Sequence, residues 1–435
     1  MKTEKEEELP ALARRLSFLS LVFYGVGAIL GAGIYALVGK VIDVTGTGAW
    51  LSFIFSALLA LITGLSYAEM SARFPSAGGA VIFVKRAFPG QFMATLVGIL
   101  VLGTGLTTTA TVTVAFSDYF TQVWMIPKPI VQVLLVTALS FLSFWGIRES
   151  SWVNMICTAV EVAGLIAVIV VGVYLLQNVS IDVVRDRTLE HVDFISIFSG
   201  VTIAFFAFIG FEDLCNLAEE AKNPSRDLPR AILVSIAIST FLYVLVILAL
   251  QMTIPTKTII ASPTPLLLLF ETANAQWMLH SFAFIAMMAI GNTALINLIM
   301  ASRLMYGMSH EQLLPKFFRQ VHNTRKTPWL AAIVVYLFVL LLIFTGGLKI
   351  LAQTTSFLII VVFLSVHVSL LRTKWKHAKT SHFRIPFWVP CLGALTCIGL
   401  IIFFPFEVYL RSGLFFAIGS LLWFFQKRQT TTSTT

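Results

Sequence analysis

Long apolar stretches constrain this chain more than any other feature of its sequence. A helix that crosses a bilayer needs about 20 predominantly apolar residues. A transmembrane β-barrel would instead show alternating segments of about ten residues, whereas these stretches are apolar on every face. The sequence therefore predicts an all-α polytopic membrane protein with twelve transmembrane helices. The twelve stretches begin near Ser17, Ala49, Gln91, Pro129, Ser151, Ile195, Pro229, Gln276, Trp329, Lys349, Phe387 and Arg411.

The composition of the chain excludes a soluble protein. Of the 435 residues, 58% are hydrophobic and 12% are charged, whereas a soluble domain is about half apolar and a quarter charged. The polar connections are too short to hold a soluble domain. The four cysteines lack metal-ligand spacing and fall within or beside predicted spans, so we predict no disulfide framework, no zinc site and no cofactor. They are Cys157, Cys215, Cys391 and Cys397.

The net charge of +9 follows the membrane topology and does not indicate nucleic-acid binding. If the N-terminus is cytoplasmic, 23 of the 30 Lys and Arg residues fall on the cytoplasmic side. This asymmetry is the positive-inside rule. We therefore predict a multi-pass protein of the cell (plasma or inner) membrane with both termini in the cytoplasm and the lipid bilayer as its surroundings. The seven basic residues expected outside are Lys40, Lys128, Arg185, Arg187, Lys257, Lys349 and Arg411.

Two spans carry glycines at the depth of the bilayer centre. The first reads SFLSLVFYGVGAILGAGIYALVGKV and the sixth reads ISIFSGVTIAFFAFIGFEDLCNLA. Small residues of this kind also serve close helix packing in membranes. The two spans nevertheless open two successive groups of five, and such paired interruptions are typical of the binding site of an inverted-repeat transporter.

A broken helix suits an α-amino acid without any charged side chain. The second half of the helix begins with free backbone N–H groups, which favour a carboxylate, and the first half ends with carbonyl groups, which favour an ammonium. Exposed backbone at this depth is tolerated only if it is buried in protein or lines a cavity. The two interrupted spans therefore predict a clamp for the head group of an amino acid.

Four motifs, in order along the first ten spans, resemble the amino acid–polyamine–organocation (APC) transporter superfamily. They are GVGAILGAGIYALVG in the first span, SYAEMSARFPSAGGAVIFVKRAFPG after the second, FFAFIGFEDLCNLAEEAKNPSRDLPRAI at the sixth and GNTALINLIMASRLMYGMSHEQLLPKFF at the eighth. The resemblance implies a five-plus-five inverted repeat of the leucine-transporter type. The expected parts are a cytoplasmic tail (1–16), two repeats (17–177 and 195–371) and two C-terminal spans (387–428). A disordered tail (429–435) is expected from its Thr/Ser composition.

The same resemblance implies the residues of a substrate site. The carboxylate is expected at the backbone of the first-span glycine motif, and the ammonium at the carbonyl groups before each break. An aromatic side chain at the sixth-span break is expected to gate the site. The residues expected to bind the carboxylate are Gly31, Ala32, Gly33 and Ile34. Those expected to bind the ammonium are Ala28, Ile29, Ala204, Phe205, Phe206 and Ala207. The expected gate is Phe206 or Phe208.

Glu161 is the strongest candidate for coupling. It lies about 15 Å of helix rise beyond Ser151, near the bilayer centre, where an ionisable group is costly and is expected to face the bundle interior. Several proton-coupled members of the superfamily have a Lys here, so the Glu departs from the pattern. Burial favours the neutral, protonated form of a carboxyl group. We hypothesise a proton or cation site, with Asn292 or Thr293 as neighbours. The alternative is a permanently protonated structural Glu.

Three other polar features leave alternatives open. Glu212, after the sixth-span break, either meets a substrate amine or a proton, or stabilises the positive end of the second half-helix. His367 is more typical of a hydrogen-bonded structural residue than of a proton shuttle. The threonines of the third span either line the pathway or bond back to their own helix.

These observations favour a secondary active transporter of amino acids, working by alternating access with proton symport or exchange. No nucleophile–base pair or metal cluster suggests an enzyme, and paired breaks fit a carrier better than a channel. An amine or polyamine carrier using Glu212 is the alternative, and a non-transporting amino-acid sensor is a further one.

Overall fold

The computed structural model describes residues 16–75, 78–145, 151–177, 179–180, 193–218, 220–325, 327–376 and 383–432. These residues form helices and their connections, and the only β pairing among them is an isolated bridge between Leu16 and Ala221. The all-helical prediction is confirmed within these ranges.

Sixteen α-helices make up the described part of the chain. They are α1 (Phe18–Leu30), α2 (Ala32–Thr45), α3 (Ala49–Arg73), α4 (Gly79–Ala87), α5 (Phe92–Val123), α6 (Lys128–Trp145), α7 (Ser151–Leu176), α8 (Phe194–Ala204), α9 (Pro224–Thr253), α10 (Thr256–Ala261), α11 (Leu267–Thr272), α12 (Gln276–His310), α13 (Trp329–Ile343), α14 (Leu348–Lys376), α15 (Trp388–Ile401) and α16 (Phe406–Thr432). Four 3-10 helices join them: Gly46–Gly48, Phe205–Phe208, Phe211–Leu217 and Lys316–Arg319.

Ten of the twelve predicted helix starts lie within one residue of the observed ones. The two exceptions begin five residues earlier than predicted. Helix α9 starts at Pro224, which takes the first helical position itself because its missing N–H is not needed there. Helix α16 starts at Phe406, and Glu407 in its first turn pairs with Arg411, one turn later, at 2.9 Å.

Some polar segments are more helical than their composition indicates. Helices α4, α10 and α11 lie in the connections that follow the second and seventh spans. Helix α16 continues to Thr432, so it includes the first four residues of the predicted disordered tail. An apolar stretch marks the part of a helix in contact with lipid and does not mark where its backbone hydrogen bonds end. Residues 1–15 and 433–435 lie outside the described part of the chain.

Eight segments among the described residues are long and apolar enough to cross a membrane, or up to nine if the bent pair Trp388–Ile401 and Phe406–Phe424 counts as one span. This multi-pass character agrees with the prediction, but the number twelve is not confirmed. The lower count has three sources. Phe18–Arg73 counts as one segment although it contains α1, α2 and α3. Helix α13 has only 15 residues, and α15 and α16 are joined by a bend of 118°.

The helices pack around the first and sixth spans. Helix α1 lies against α9 and α7, while α2 lies against α8. The long helix α5 contacts both α12 and α14. The cross-span hydrogen bond from Ser52 Oγ to the Ile197 carbonyl (2.9 Å) ties α3 to α8. The two interrupted spans are therefore enclosed by the longest helices of the bundle.

Candidate functional site

The first span is broken at a single residue. Gly31 has φ −26° and ψ −135°, so α1 ends at Leu30 and α2 restarts at Ala32. The Ala32 N–H donates to Thr293 Oγ1 of α12 at 3.2 Å. The first-turn N–H groups of a helix have no partner within the helix, and Gly31 offers no side chain as a cap. The start of α2 is therefore a buried set of N–H donors at the positive end of a helix dipole.

The sixth span is broken over a longer segment. Helix α8 ends at Ala204, and the chain continues as the 3-10 helix Phe205–Phe208, the link Ile209–Gly210 and the 3-10 helix Phe211–Leu217. Runs of 3-10 helix longer than three or four residues are uncommon, and mid-helix stretches often mark a hinge. Gly210 has φ +124°, a conformation that L side chains rarely adopt.

The two breaks touch each other. A Cβ atom added at Gly33 would overlap the backbone of Ala207, at the second break. A Cβ added at Gly210 would overlap the Ala28 carbonyl group, just before the first break. Both contacts therefore require glycine, and together they bring the predicted carboxylate and ammonium residues to one buried point.

Tyr243 of α9 joins the two breaks and was missed by the sequence reasoning. Its hydroxyl donates toward the carbonyl oxygens of Ile29, at 2.6 Å, and Ala207, at 2.9 Å. These are two of the carbonyl groups predicted to meet a substrate ammonium. A tyrosine in the middle of an apolar span needs a partner for its hydroxyl, and this signal was available in the sequence AISTFLYVLVILAL.

The three phenylalanines at the second break differ in how they are held. Phe205 forms an edge contact with Phe363 of α14, with ring centroids 5.9 Å apart. Phe208 packs on Tyr243 in the same way, at 5.3 Å. Phe206 is buried but forms no ring pair with any described residue. Of the two predicted gate residues, Phe206 is therefore the less constrained.

Glu161 is buried in α7, with 1% of its surface exposed. Its backbone carbonyl accepts a hydrogen bond from the Tyr35 hydroxyl of α2 at 3.2 Å. Its carboxyl atom Oε2 and the nearby Thr158 hydroxyl have no hydrogen-bond partner among the described residues. The Thr293 hydroxyl accepts a hydrogen bond from the Ala32 N–H at the first break and donates to the Ala289 carbonyl of its own helix. Its neighbour Asn292 is half-buried on α12.

Glu212 acts on the second break. Its carboxyl oxygen Oε2 accepts a hydrogen bond from the Gly210 N–H at 2.9 Å. Gly210 precedes the 3-10 helix Phe211–Leu217, so this bond lies at the positive end of that helix. The contact agrees with the second of the two interpretations of Glu212, in which it stabilises the start of the half-helix.

The remaining polar candidates serve helix packing. His367 is fully buried on α14, and both ring nitrogens have a hydroxyl partner on α3: Thr63 at 3.3 Å and Ser66 at 3.0 Å. Most third-span threonines bond back to their own helix, as described below. Within the ranges described, no three His, Cys, Asp or Glu side chains come together as a metal site would require.

Comparison with known proteins identifies the chain's relatives. Residues 16–429 match the family model described as amino acid permease. The chain is 28% identical to the branched-chain amino acid permease BcaP of Bacillus subtilis, over 96% of this chain and 94% of that protein. It is 30% identical to cationic amino acid transporter 3, mitochondrial, of Arabidopsis thaliana, over 86% and 64% of the two chains. It is 29% identical to cationic amino acid transporter 4 of Mus musculus, over 88% and 62%. The chain thus spans less than two thirds of the plant and mouse relatives.

Proposed function

Because the chain belongs to the amino acid permease family of the APC superfamily, and is therefore a transporter and not an enzyme, we propose that it carries α-amino acids across a membrane by alternating access. One observation supports this most strongly. The two broken spans meet at a buried point, where Gly33 contacts Ala207 and Gly210 contacts Ala28. This contact brings the backbone N–H groups at the start of one half-helix close to the backbone carbonyl groups before the breaks.

The proposed substrate clamp uses backbone atoms. The carboxylate binds at the N–H groups of Gly31, Ala32, Gly33 and Ile34, where the dipole of α2 favours negative charge. The ammonium binds at the carbonyl groups near Ala28 and Ile29 and in the segment Ala204–Ala207. The Tyr243 hydroxyl lies within hydrogen-bonding distance of two of these carbonyl groups and can donate its single proton to either one, so a donor fits this position. Phe206 closes the site as its gate.

The proposed five-plus-five repeat is supported by the packing of the helices. In a five-plus-five repeat, span n of the first five corresponds to span n+5 of the second five. Several pairs of spans that pack together therefore have a corresponding pair that also packs together. Spans 1 and 7 (α1, α9) pack together, as do spans 6 and 2 (α8, α3). Spans 3 and 10 (α5, α14) pack together, as do the corresponding spans 8 and 5 (α12, α7). Spans 3 and 4 (α5, α6) pack together, as do the corresponding spans 8 and 9 (α12, α13). This packing supports a proposal of twelve spans with repeats at 17–177 and 195–371. The proposal that both termini are cytoplasmic rests on the distribution of the Lys and Arg residues.

Glu161 is the proposed coupling residue. Its buried Oε2 has no hydrogen-bond partner among the residues described, and a charged carboxylate in that position would be costly. The Tyr35 hydroxyl of α2 bonds to the Glu161 backbone carbonyl, so α7 is in contact with the helix that begins at the first break. Binding and release of a proton at Glu161 would therefore affect the first break through this contact. The amine or polyamine carrier is less favoured, because the Glu212 carboxyl group already accepts the Gly210 N–H.

Uptake by the purified protein in liposomes tests the function. A panel of labelled amino acids and polyamines is offered with pH and sodium gradients varied separately, and counterflow separates a carrier from a sensor. We expect exchange of at least one neutral amino acid. If no compound is taken up or exchanged under any gradient, the proposed transport function is wrong.

The Glu161→Gln variant tests the proposed proton coupling. Glutamine is always neutral, so uptake is expected to become insensitive to pH. Unchanged pH dependence would assign Glu161 a structural role.

A further inference from the structure

Within the stretch Thr104–Thr113 of the third span, one threonine differs from the others. The hydroxyls of five threonines in α5 each donate to the carbonyl oxygen four residues earlier, so they are satisfied within their own helix. Thr108, with 6% of its surface exposed, has no hydrogen-bond partner among the described residues. The five that bond back are Thr104, Thr107, Thr109, Thr111 and Thr113.

The tenth span presents two further unsatisfied groups beside it. Gln353 Nε2 donates to Thr202 Oγ1 of α8 at 2.8 Å, while Gln353 Oε1 and Ser356 Oγ find no partner within the described ranges. Both side chains are buried. Helices α14 and α5 are joined at the same level, because Thr355 donates to Thr107 at 2.8 Å.

Helix geometry directs these groups to the two broken spans. Thr108 and Tyr119 are eleven residues apart in α5, which is about three turns, so they share a face. That face of α5 is directed toward α2, because the Tyr119 hydroxyl donates to the Tyr35 carbonyl at 3.1 Å. Ser356 and Phe363 are about two turns apart on α14, and the Phe363 ring contacts Phe205.

Gln353 reaches the same region through the sixth span. Its partner Thr202 lies two residues before Ala204, where α8 ends. Gln353 contacts the last turn of α8 through Thr202, and the Thr355–Thr107 bond holds α14 against α5. These contacts place the three side chains on the α8 side of the second break, toward the proposed head-group clamp. Buried polar atoms without partners are costly, and a group that sits there must supply donors and acceptors. None of the three side chains carries a charge, so a charged ligand group would remain unpaired.

We propose that Thr108, Gln353 and Ser356 form a subsite for the side chain of the carried amino acid, and that the preferred substrates have an uncharged hydroxyl or carboxamide side chain. The subsite rests on the proposed transport function and narrows its substrate class. A carboxamide or a hydroxyl offers both a donor and an acceptor. An apolar side chain would leave all three protein groups unsatisfied.

The wild-type protein in liposomes provides the first test, with substrates paired by shape. Serine is compared with alanine, threonine with valine, and glutamine with leucine. We expect the polar member of each pair to have a kcat/KM at least about tenfold higher, since a site that hydrogen-bonds a substrate group discriminates strongly against an analogue without it. Equal or better transport of the apolar members would overturn the subsite and leave amino acid transport intact. Transport of no amino acid would overturn the proposed function and the subsite together.

Variants then assign the preference to residues. Thr108→Val and Gln353→Leu keep side-chain size, and each is expected to reduce the ratio of polar to apolar kcat/KM about three- to tenfold, because polar substrates lose a hydrogen bond and apolar substrates no longer leave that group unsatisfied. Ser412→Ala is the matched control, because Ser412 is also buried and has no hydrogen-bond partner among the described residues, but lies in α16. Thermal melting of each variant, with serine and alanine as ligands, separates loss of folding from loss of recognition. Equal loss for polar and apolar substrates in folded variants would contradict the assignment.

Discussion

The two breaks at the centre of this protein are built differently. The first is abrupt, since a single residue, Gly31, separates two regular α-helices. The second is extended, since the backbone leaves α-helical geometry at Phe205 and runs to Leu217 as two 3-10 helices joined by the link Ile209–Gly210. An abrupt break gives a compact set of N–H donors aligned with one helix dipole. An extended break gives carbonyl groups pointing in several directions.

The difference extends to the hydroxyl groups that meet each break. At the first break, the Thr293 hydroxyl accepts a hydrogen bond from the Ala32 N–H. Across both breaks, the Tyr243 hydroxyl donates toward the carbonyl groups of Ile29 and Ala207. One hydroxyl therefore takes the position proposed for a carboxylate oxygen and the other the position proposed for an ammonium. These two side chains hydrogen-bond to backbone groups of the breaks, and a substrate must compete with them.

The largest expected effect comes from the contact between the breaks. Gly210→Ala adds about 1–2 kcal/mol of backbone strain at positive φ and places a Cβ against the Ala28 carbonyl. We expect uptake to fall to background in liposomes. Gly90→Ala is the control, because Gly90 also has positive φ (+88°) but has open space around it. It is expected to lose stability alone. If both variants transport equally well, the contact between the breaks is unimportant.

The next effect tests the donor at the carbonyl groups. Tyr243→Phe keeps the ring packed on Phe208 but removes the hydroxyl, which leaves two buried carbonyl groups short of a donor. We expect the unliganded protein to lose about 1–3 kcal/mol of stability. A bound substrate ammonium replaces the donor, so ligand-induced thermal stabilisation should exceed that of the wild type. Tyr409→Phe also removes a hydroxyl–carbonyl bond, to Ile401, but far from the breaks. Similar behaviour of the two variants would separate Tyr243 from the substrate site.

The comparison also explains how far the sequence could predict the site. The glycine motif located the first break within one residue, because an abrupt break depends on a local residue type. The sequence predicts the second break at Phe205–Glu212, and the backbone leaves α-helical geometry at Phe205. Its 3-10 geometry and its continuation to Leu217 depend on packing against other spans. Tyr243 is fixed by a contact across more than 200 residues of chain, to Ile29. Helix starts were predicted well wherever an apolar stretch began sharply, and missed at Pro224 and Phe406, where helices begin with polar turns.

A smaller effect distinguishes gating from packing at the second break. Phe206→Ala removes a buried ring that forms no ring pair with a described residue, so we expect a KM increase of about tenfold and a smaller loss of stability than in Phe208→Ala. Phe208→Ala removes a ring packed between Phe53 and Tyr243 and is expected to cost about 3–5 kcal/mol. Uptake kinetics and melting temperatures of the two variants give the comparison. If Phe206→Ala loses as much stability as Phe208→Ala, the Phe206 ring serves core packing and does not gate the site.

The smallest effect concerns the acceptor at the first break. Thr293→Val keeps the shape of the side chain but leaves the Ala32 N–H without its acceptor. This change costs the unliganded protein about 0.5–1.5 kcal/mol, and a substrate carboxylate recovers it on binding. Apparent affinity is therefore expected to rise about threefold to tenfold. Thr373→Val is the control, because the Thr373 hydroxyl donates to the carbonyl four residues earlier, as Thr293 does, but at the far end of α14. A weaker affinity in Thr293→Val alone would mean that the hydroxyl contacts the substrate directly, so that the first break binds through a side chain as well as through its backbone.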